Sequence, residues 1–327
     1  MNKIFDEVEL NGLKLKNRLV RSATWEGMAD DEGHIPKELY DVYEELAKGG
    51  VGLIITGFTS VFDNDYLFGG IVRISNDKLI DEHKKLVDIV HKENSKIFVQ
   101  LALGEYKSLS PDDLTIDDIN NIVKLFVSAA KRAWLAGYDG VQIHAAHNFY
   151  LSKFISPAYN YRIDEYKGGD SKILVDIVKG IKSTIKDLHI SIKINCDDFL
   201  PRGLTEEQSM VICKDLVSEG IDSIEVSGNG TSVAGIKAHV NEAYFKDFAI
   251  ELAKNNKANV ILVGGHRSIE NMESILNESN IKCLSLSRPL IREPNLPKRW
   301  MDGNTSPSKC ISCNRCYYTK KHKCIFN

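Results

Sequence analysis

The chain has no excess of charge of either sign: 42 basic residues against 45 acidic ones leave a formal net charge of −3. A nucleic-acid groove or a surface built for anionic membranes would need a basic surplus, so neither is expected. No apolar run approaches the length of a membrane span. The opening MNKIFDEVEL lacks the apolar h-region of a signal peptide, and a soluble, cytoplasmic protein is expected. No predicted strand opens into a G-x-G-x-x-G turn, which argues against a doubly wound dinucleotide-binding sheet. No internal repeat and no low-complexity linker divides the chain.

What is present is a hydrophobic share of 43% over 327 residues, enough to bury one large core. Val8, Leu10, Leu13 and Leu15 alternate with polar residues around Asn11-Gly12. That is the pattern of a hairpin with a two-residue turn, expected to lid the bottom of a barrel. From Arg18 onward, strand and helix patterns alternate. Strands are predicted at Leu19–Ala23, Gly52–Thr56, Lys96–Leu101, Gly140–His144, Ile190–Asn195, Ser223–Val226, Asn259–Val263 and Lys282–Ser287. Helical periodicity falls between them, at Lys37–Lys48, Asp81–Lys92, Ile116–Ala136, Lys172–Lys186, Glu206–Glu219, Glu242–Asn255 and Ile269–Asn277. Thr205 and Ser268 stand where N-caps belong, and Gly137 and Gly220 stand just past helix ends. Eight strands alternating with helices predict an α/β fold. It is a (β/α)8 TIM barrel with an N-terminal β-hairpin and a short Cys-rich C-terminal tail. The barrel is assigned to residues 1–304 and the tail to residues 305–327.

Chemistry in such barrels sits at the C-terminal strand ends. His144 and His147 follow the fourth strand; as a pair they converge on one spot, and the plainer alternative is two satisfied histidines at a strand end. The seventh strand ends in Gly264-Gly265-His266-Arg267-Ser268, where backbone can approach an anion and a helix N-terminus comes next. The eighth ends in Ser287-Arg288, which adds a guanidinium beside the same spot. Together the two loops predict a phosphate site. Lys193 alternates with Ile192 and Ile194 and so faces the barrel interior, where it needs an anionic partner. Strand six ends in the small, polar Ser227-Gly228-Asn229, as a cofactor edge would need.

Of the seven cysteines, Cys196, Cys213 and Cys283 read as buried thiols. Cys310, Cys313, Cys316 and Cys324 crowd the tail as C-x2-C-x2-C-x7-C. That crowding suggests metal before disulfide, as an iron–sulfur cluster or zinc.

The stretch from His144 to Gly169 carries HAAH, LSKFISP and N-x-R-x-D-E-Y-x-G-G. On these motifs the chain resembles the old yellow enzyme family of FMN-dependent ene-reductases, with further matching segments from Leu15 to about Trp300. The resemblance implies a barrel that binds FMN and takes hydride from NAD(P)H. It implies that His144 and His147 hold the carbonyl oxygen of an enone-type substrate. Ser22, Ala23, Thr24 and Gln100 would contact the flavin, Gln100 at its pyrimidine, with Gly57 leaving room beneath the ring. Lys193 would meet the charge of reduced flavin around N1 and O2. Gly264, Gly265, Ser287 and Arg288 match the family's phosphate loops, and Arg267 is expected to be a solvated surface arginine. Larger relatives carry a [4Fe–4S] cluster on a similar run of cysteines just after the barrel.

The chain departs from that pattern in three places. Trp25, or Thr24 with a one-residue shift, stands where the family has Thr or Cys near flavin O4. The segment Leu103-Gly104-Glu105-Tyr106 leads within a few residues to Leu114, and this short loop is expected to leave one wall of the site open. Phe149 occupies the position of the family's proton-donor tyrosine, with Tyr150 next to it, so either water entering through the opened loop is expected to supply the proton or that step is expected to be slow. Trp25 and Tyr150 are assigned to the substrate side. The expected activity is FMN-dependent hydride transfer from NAD(P)H to an activated C=C bond of a small molecule. No nucleic-acid or membrane partner is expected, and a homo-oligomer is allowed. The rivals are a non-redox phosphate-binding barrel, such as an isomerase or aldolase, and an electron-transfer component with flavin and a Cys-ligated metal.

Overall fold

The computed structural model describes residues 3–229, 237–255 and 257–327; Met1 and Asn2, at the head of the opening segment, lie outside them. Strand β1 (Val8–Leu10) turns through Asn11 and Gly12 into β2 (Leu13–Leu15), paired antiparallel. Asn11 and Gly12 have φ of 44° and 86°, the left-handed pair that a two-residue hairpin turn demands. Val8, Leu10 and Leu15 pack on Val20, Leu53, Phe98 and Ile261 of the barrel strands. The hairpin therefore closes one end of the barrel, as expected.

The barrel begins with β3 (Leu19–Arg21) and β4 (Leu53–Ser60), with a two-residue β5 (Val72–Arg73) beside the end of β4. It continues through β6 (Lys96–Ala102), β7 (Gly140–Ala145), β8 (His189–Asn195), β9 (Ser223–Ser227), β10 (Asn259–Val263) and β11 (Cys283–Leu286). All neighbours are parallel, and β3 pairs with both β4 and β11, which closes the ring. Every residue of β4, β7, β8 and β9 is buried, because one face of each strand meets the barrel interior and the other meets the helices. Strand β4 runs beyond its expected end at Thr56. A register shift between Ile55 and Phe58 absorbs one extra residue, Thr56 and Gly57 together standing opposite Val99, and lets pairing resume at Phe58↔Gln100.

Helices Lys37–Lys48, Ile80–His91, Ile116–Leu135, Lys172–Thr184, Glu206–Ser218, Lys246–Asn255 and Ile269–Glu278 cover the outside. Thr205 and Gln208 form the capping box that their spacing announces. Ser268 takes the N-cap position without accepting a side-chain bond. The helix expected from Glu242 starts only at Lys246, since Ala243 has φ 55° and gives its N–H to Gly264 O at 2.5 Å. Three short helices, Tyr150–Ile155, Arg288–Arg292 and Leu296–Met301, have no counterpart in the sequence pattern. Six residues or fewer carry too little periodicity to read. Among the described residues no helix is long and apolar enough to cross a membrane.

Candidate active site

All eight barrel strands, or the turns after them, open on one cavity of about 760 Å³, a size suited to a small organic ligand. Its floor is polar and buried. Gln100 Nε2 donates to Gln142 Oε1 at 2.9 Å, and Gln142 Nε2 donates to Glu225 Oε2 at 2.8 Å. The other oxygen, Glu225 Oε1, accepts from Ser22 Oγ at 2.7 Å and Ser285 Oγ at 2.5 Å. Lys193 Nζ lies 3.1 Å from Glu225 Oε1 and donates to Ser22 Oγ at 2.7 Å. The lysine faces inward as its alternation requires, and its anionic partner is a side chain of the neighbouring strand. Gln142 and Glu225 were missed at the sequence level. The available signal was a polar residue at an inward position of an apolar strand, in Val141-Gln142-Ile143 and Ile224-Glu225-Val226.

His144 and His147 come together at the mouth of β7, their ring centroids 5.4 Å apart. A left-handed turn at His147 and Asn148, with φ of 62° and 60°, swings the second ring back toward the first. His147 Nε2 pairs with Ser227 Oγ at 2.8 Å, and its backbone N–H donates to Asn195 Oδ1 at 3.2 Å. His144 is buried, and its Nδ1 has no hydrogen-bond partner among the described residues. Burial, and then the Lys193 charge, pushes His147 down to about 3. Burial holds His144 well below the ordinary histidine range, with His147 and Lys193 acting in the same direction. Both rings are therefore neutral near pH 7, and each has one N–H to give.

The loops after β10 and β11 meet at the far side of the cavity. Gly264 and Gly265 have φ of 139° and 75°, and a Cβ on Gly265 would come within 2.5 Å of Asn241 O. Gly265, Ser287 and Arg288 line the cavity, whereas Gly264 is not among its lining residues and packs beside Tyr244. Ser287 Oγ and Thr24 Oγ1 are 2.8 Å apart, which ties the β11 loop to the end of β3. Ser22, Ala23 and Thr24 line the cavity beside them.

Several expectations are corrected. Gly57 does not reach the cavity; it lies at the β4 bulge, where a Cβ would meet Thr24 O at 2.4 Å. Tyr150 points away from the site and donates its hydroxyl to Leu109 O at 2.9 Å. No residue of the short loop from Leu103 to Leu114 lines the cavity. Leu103, Tyr106 and Leu114 are instead core residues. The wall near His144 is aromatic: Trp25, Phe58, Phe68 and Phe149 line it, with Phe149 5.0 Å from the His144 ring.

The tail completes the enclosure. Asn314, Tyr317, Tyr318 and His322 line the cavity, and the His322 ring sits edge-on to Trp25 at 4.7 Å. Arg267, expected in solvent, is 1% exposed and holds the tail through Cys310 O at 2.9 Å and Ser312 Oγ at 2.7 Å. Arg288 donates to Asn314 Oδ1. The metal expectation is not supported: among the described residues no three His, Cys, Asp or Glu side chains are grouped to hold an ion. Cys310 is drawn to Arg267 at 3.7 Å, while Cys324 lies 3.9 Å from Arg292.

A family model described as NADH:flavin oxidoreductase / NADH oxidase matches residues 3–112 and 104–306. NADH oxidase of Thermoanaerobacter brockii is 30% identical over 345 residues, covering 95% of this chain and 52% of its own. The chain thus spans about half the length of that relative. Among solved structures, a 2-naphthoyl-CoA reductase in complex with 2-naphthoyl-CoA superposes with a TM-score of 0.90 at 19% identity, covering 99% of this chain and 57% of that one. An old yellow enzyme homologue from Zymomonas mobilis gives 0.81 at 19% identity, covering 98% and 96%. At such identities the two structures establish the fold alone.

Proposed function

The chain belongs to the NADH:flavin oxidoreductase / NADH oxidase family, that of the old yellow enzymes, and from that premise we propose an FMN-dependent oxidoreductase that moves hydride from NAD(P)H to an activated C=C bond. The observation that carries the proposal is the neutral His144–His147 pair, the first ring buried and the second half-buried, lining the cavity to which Gln100 and Lys193 are also presented.

The residues present fit FMN. The glycine-lined turn at Gly264-Gly265 and the Arg288 guanidinium suit a phosphate. Gln100 both donates and accepts, as the pyrimidine edge of a flavin requires. Ser22, Ala23 and Thr24 border the same space. Bound FMN supplies the hydride transfer itself. His144 and His147 would polarise the substrate: with an N–H from each on the carbonyl oxygen, they stabilise the charge that gathers there as the C=C bond is reduced. Trp25, Phe58, Phe68 and Phe149 exclude water and favour a flat, apolar substrate body. Phe149 brings no proton, so the aromatic wall nearest the histidines is without an acid.

The test is a visible spectrum of the purified protein before and after unfolding, followed by titration with a para-substituted phenol. A yellow protein that releases FMN and forms a long-wavelength charge-transfer band supports the reading. Loss of that band with retention of flavin is expected for the H144A/H147A variant. Protein that stays colourless after reconstitution with FMN overturns the proposal in favour of a non-redox phosphate-binding barrel.

A further inference from the structure

A lysine buried in a barrel floor is normally read as a positive charge presented to whatever lies above it. Here that charge is already met. Lys193 Nζ is 3.1 Å from Glu225 Oε1, and Ser22 Oγ joins the two again, accepting from the lysine at 2.7 Å and donating to the carboxylate at 2.7 Å. Glu225 is fully buried, and Ser285 and Gln142 satisfy its remaining lone pairs at 2.5 Å and 2.8 Å. Burial alone would push the Glu225 carboxyl up, but Lys193 and these three donors outweigh it and hold it below the ordinary carboxylate range. The Glu225 carboxylate therefore stands ionised against the lysine, and the two groups together present little net charge to the cavity. One N–H of the ammonium is given to Ser22 and the group is ion-paired with Glu225, which leaves donor capacity for an acceptor above.

We infer that Glu225 is a positioning residue that aims Lys193 at the cofactor and cancels its charge. On the FMN reading, the site gives the N1–O2 edge of reduced flavin a hydrogen bond without a net cation. A lone ammonium at that depth would attract the developing negative charge strongly, because little water is present to screen it. It would also be costly to bury in the empty site. The Lys193–Glu225 pair avoids the second problem and gives up most of the first effect. The cofactor is consequently held as a stronger hydride donor than an unpaired lysine would allow.

The experiment is a charge cycle on the FMN-loaded protein, read by flavin midpoint potential and by the dissociation constant of sulfite. Sulfite adds to oxidised flavin and places negative charge on the N1–O2 edge. Glu225→Gln removes one charge and keeps the shape; sulfite should bind at least about tenfold more tightly, and a tenfold change in the two-electron couple corresponds to about 30 mV upward. Lys193→Gln should shift both readouts the other way. The double variant, again neutral, should return to within about threefold of wild type, since the coupling between touching residues is what such a cycle isolates. E225Q protein that holds FMN with unchanged sulfite affinity and potential overturns the inference. Should E225Q fail to fold, the double variant decides: a return toward wild type supports charge cancellation, and a shift equal to that of K193Q overturns it. Wild-type protein that binds no FMN removes the cofactor reading and the inference with it.

Discussion

Arg267 donates from Nε to the carbonyl oxygen of Cys310 at 2.9 Å, so the turn after β10 grips the C-terminal tail. The same guanidinium reaches His266 O and Ser312 Oγ, each at 2.7 Å, and the Ser308 N–H returns a bond to Arg267 O at 2.8 Å. A planar fork that meets three acceptors has no substitute in lysine. The tail is thus fastened to the loop read as half of a phosphate site, and it brings Tyr317 and His322 to the cavity wall.

Removing that grip should release the tail. Arg267→Ala is expected to lose roughly 2–4 kcal/mol of stability, the scale of a few hydrogen bonds to a buried charge. Trypsin should then cut at Lys309 or Arg315 well before it cuts the barrel, and Trp25 fluorescence should change as His322 leaves it. Equal protease resistance in the variant would mean that the tail is held by its other contacts.

Arg288 lines the cavity beside Gly265. Arg288→Ala should weaken FMN binding by roughly 1.5–3 kcal/mol, as expected for a charge-assisted hydrogen bond. Fluorescence titration of the flavin-free protein with FMN measures this. An unchanged affinity would move the phosphate elsewhere.

Phe149 lines the cavity and Tyr150 does not. Phe149→Tyr should place a phenol beside His144 and speed reoxidation of the reduced enzyme by cyclohexenone, up to the roughly 10²–10⁴-fold that a positioned acid contributes. Tyr150→Phe should leave that step alone and cost about 1 kcal/mol of stability through its lost bond to Leu109. Rapid mixing of the two variants separates the effects. Loss of the step in Tyr150→Phe alone would identify Tyr150 as the acid.

Acid should destabilise the fold before it protonates the active site. Burial pushes His147 down to about 3 and both His189 and His266 down to about 4. In the unfolded chain these rings take up protons near pH 6.5. The unfolded state thus binds more protons across that interval, and stability falls as pH drops from about 6.5 toward 4. Glu26 acts oppositely: burial pushes it up to about 7, so its contribution is lost as pH rises from the ordinary carboxylate range. Several histidines outweigh one carboxyl, and the urea midpoint should be lower at pH 5 than at pH 7. A midpoint that holds or rises at pH 5 would contradict the burial of these rings.

What the sequence determined by itself is whatever depends on local pattern. Alternating apolar strands and capped, periodic helices specify a barrel. Asn11-Gly12 specifies a hairpin because few other residue pairs accept two positive φ values. His144 and His147, the Gly264-Gly265 turn and the Ser287-Arg288 step were legible because strand ends in such a barrel converge on one mouth. What only the tertiary structure decided is partnership across the barrel. Glu225 lies 32 residues from Lys193 in sequence, and adjacency of β8 and β9 in register brings them to 3.1 Å. The bulge in β4 takes Gly57 out of the site, and a single residue of offset sends Tyr150 to Leu109 while Phe149 faces the histidines. The cysteine spacing spoke of metal, yet the fold draws Cys310 to Arg267 and Cys324 to Arg292 and turns the tail into a wall of the cavity. Spacing along a chain sets which residues can meet; packing of distant segments against one another sets which of them do.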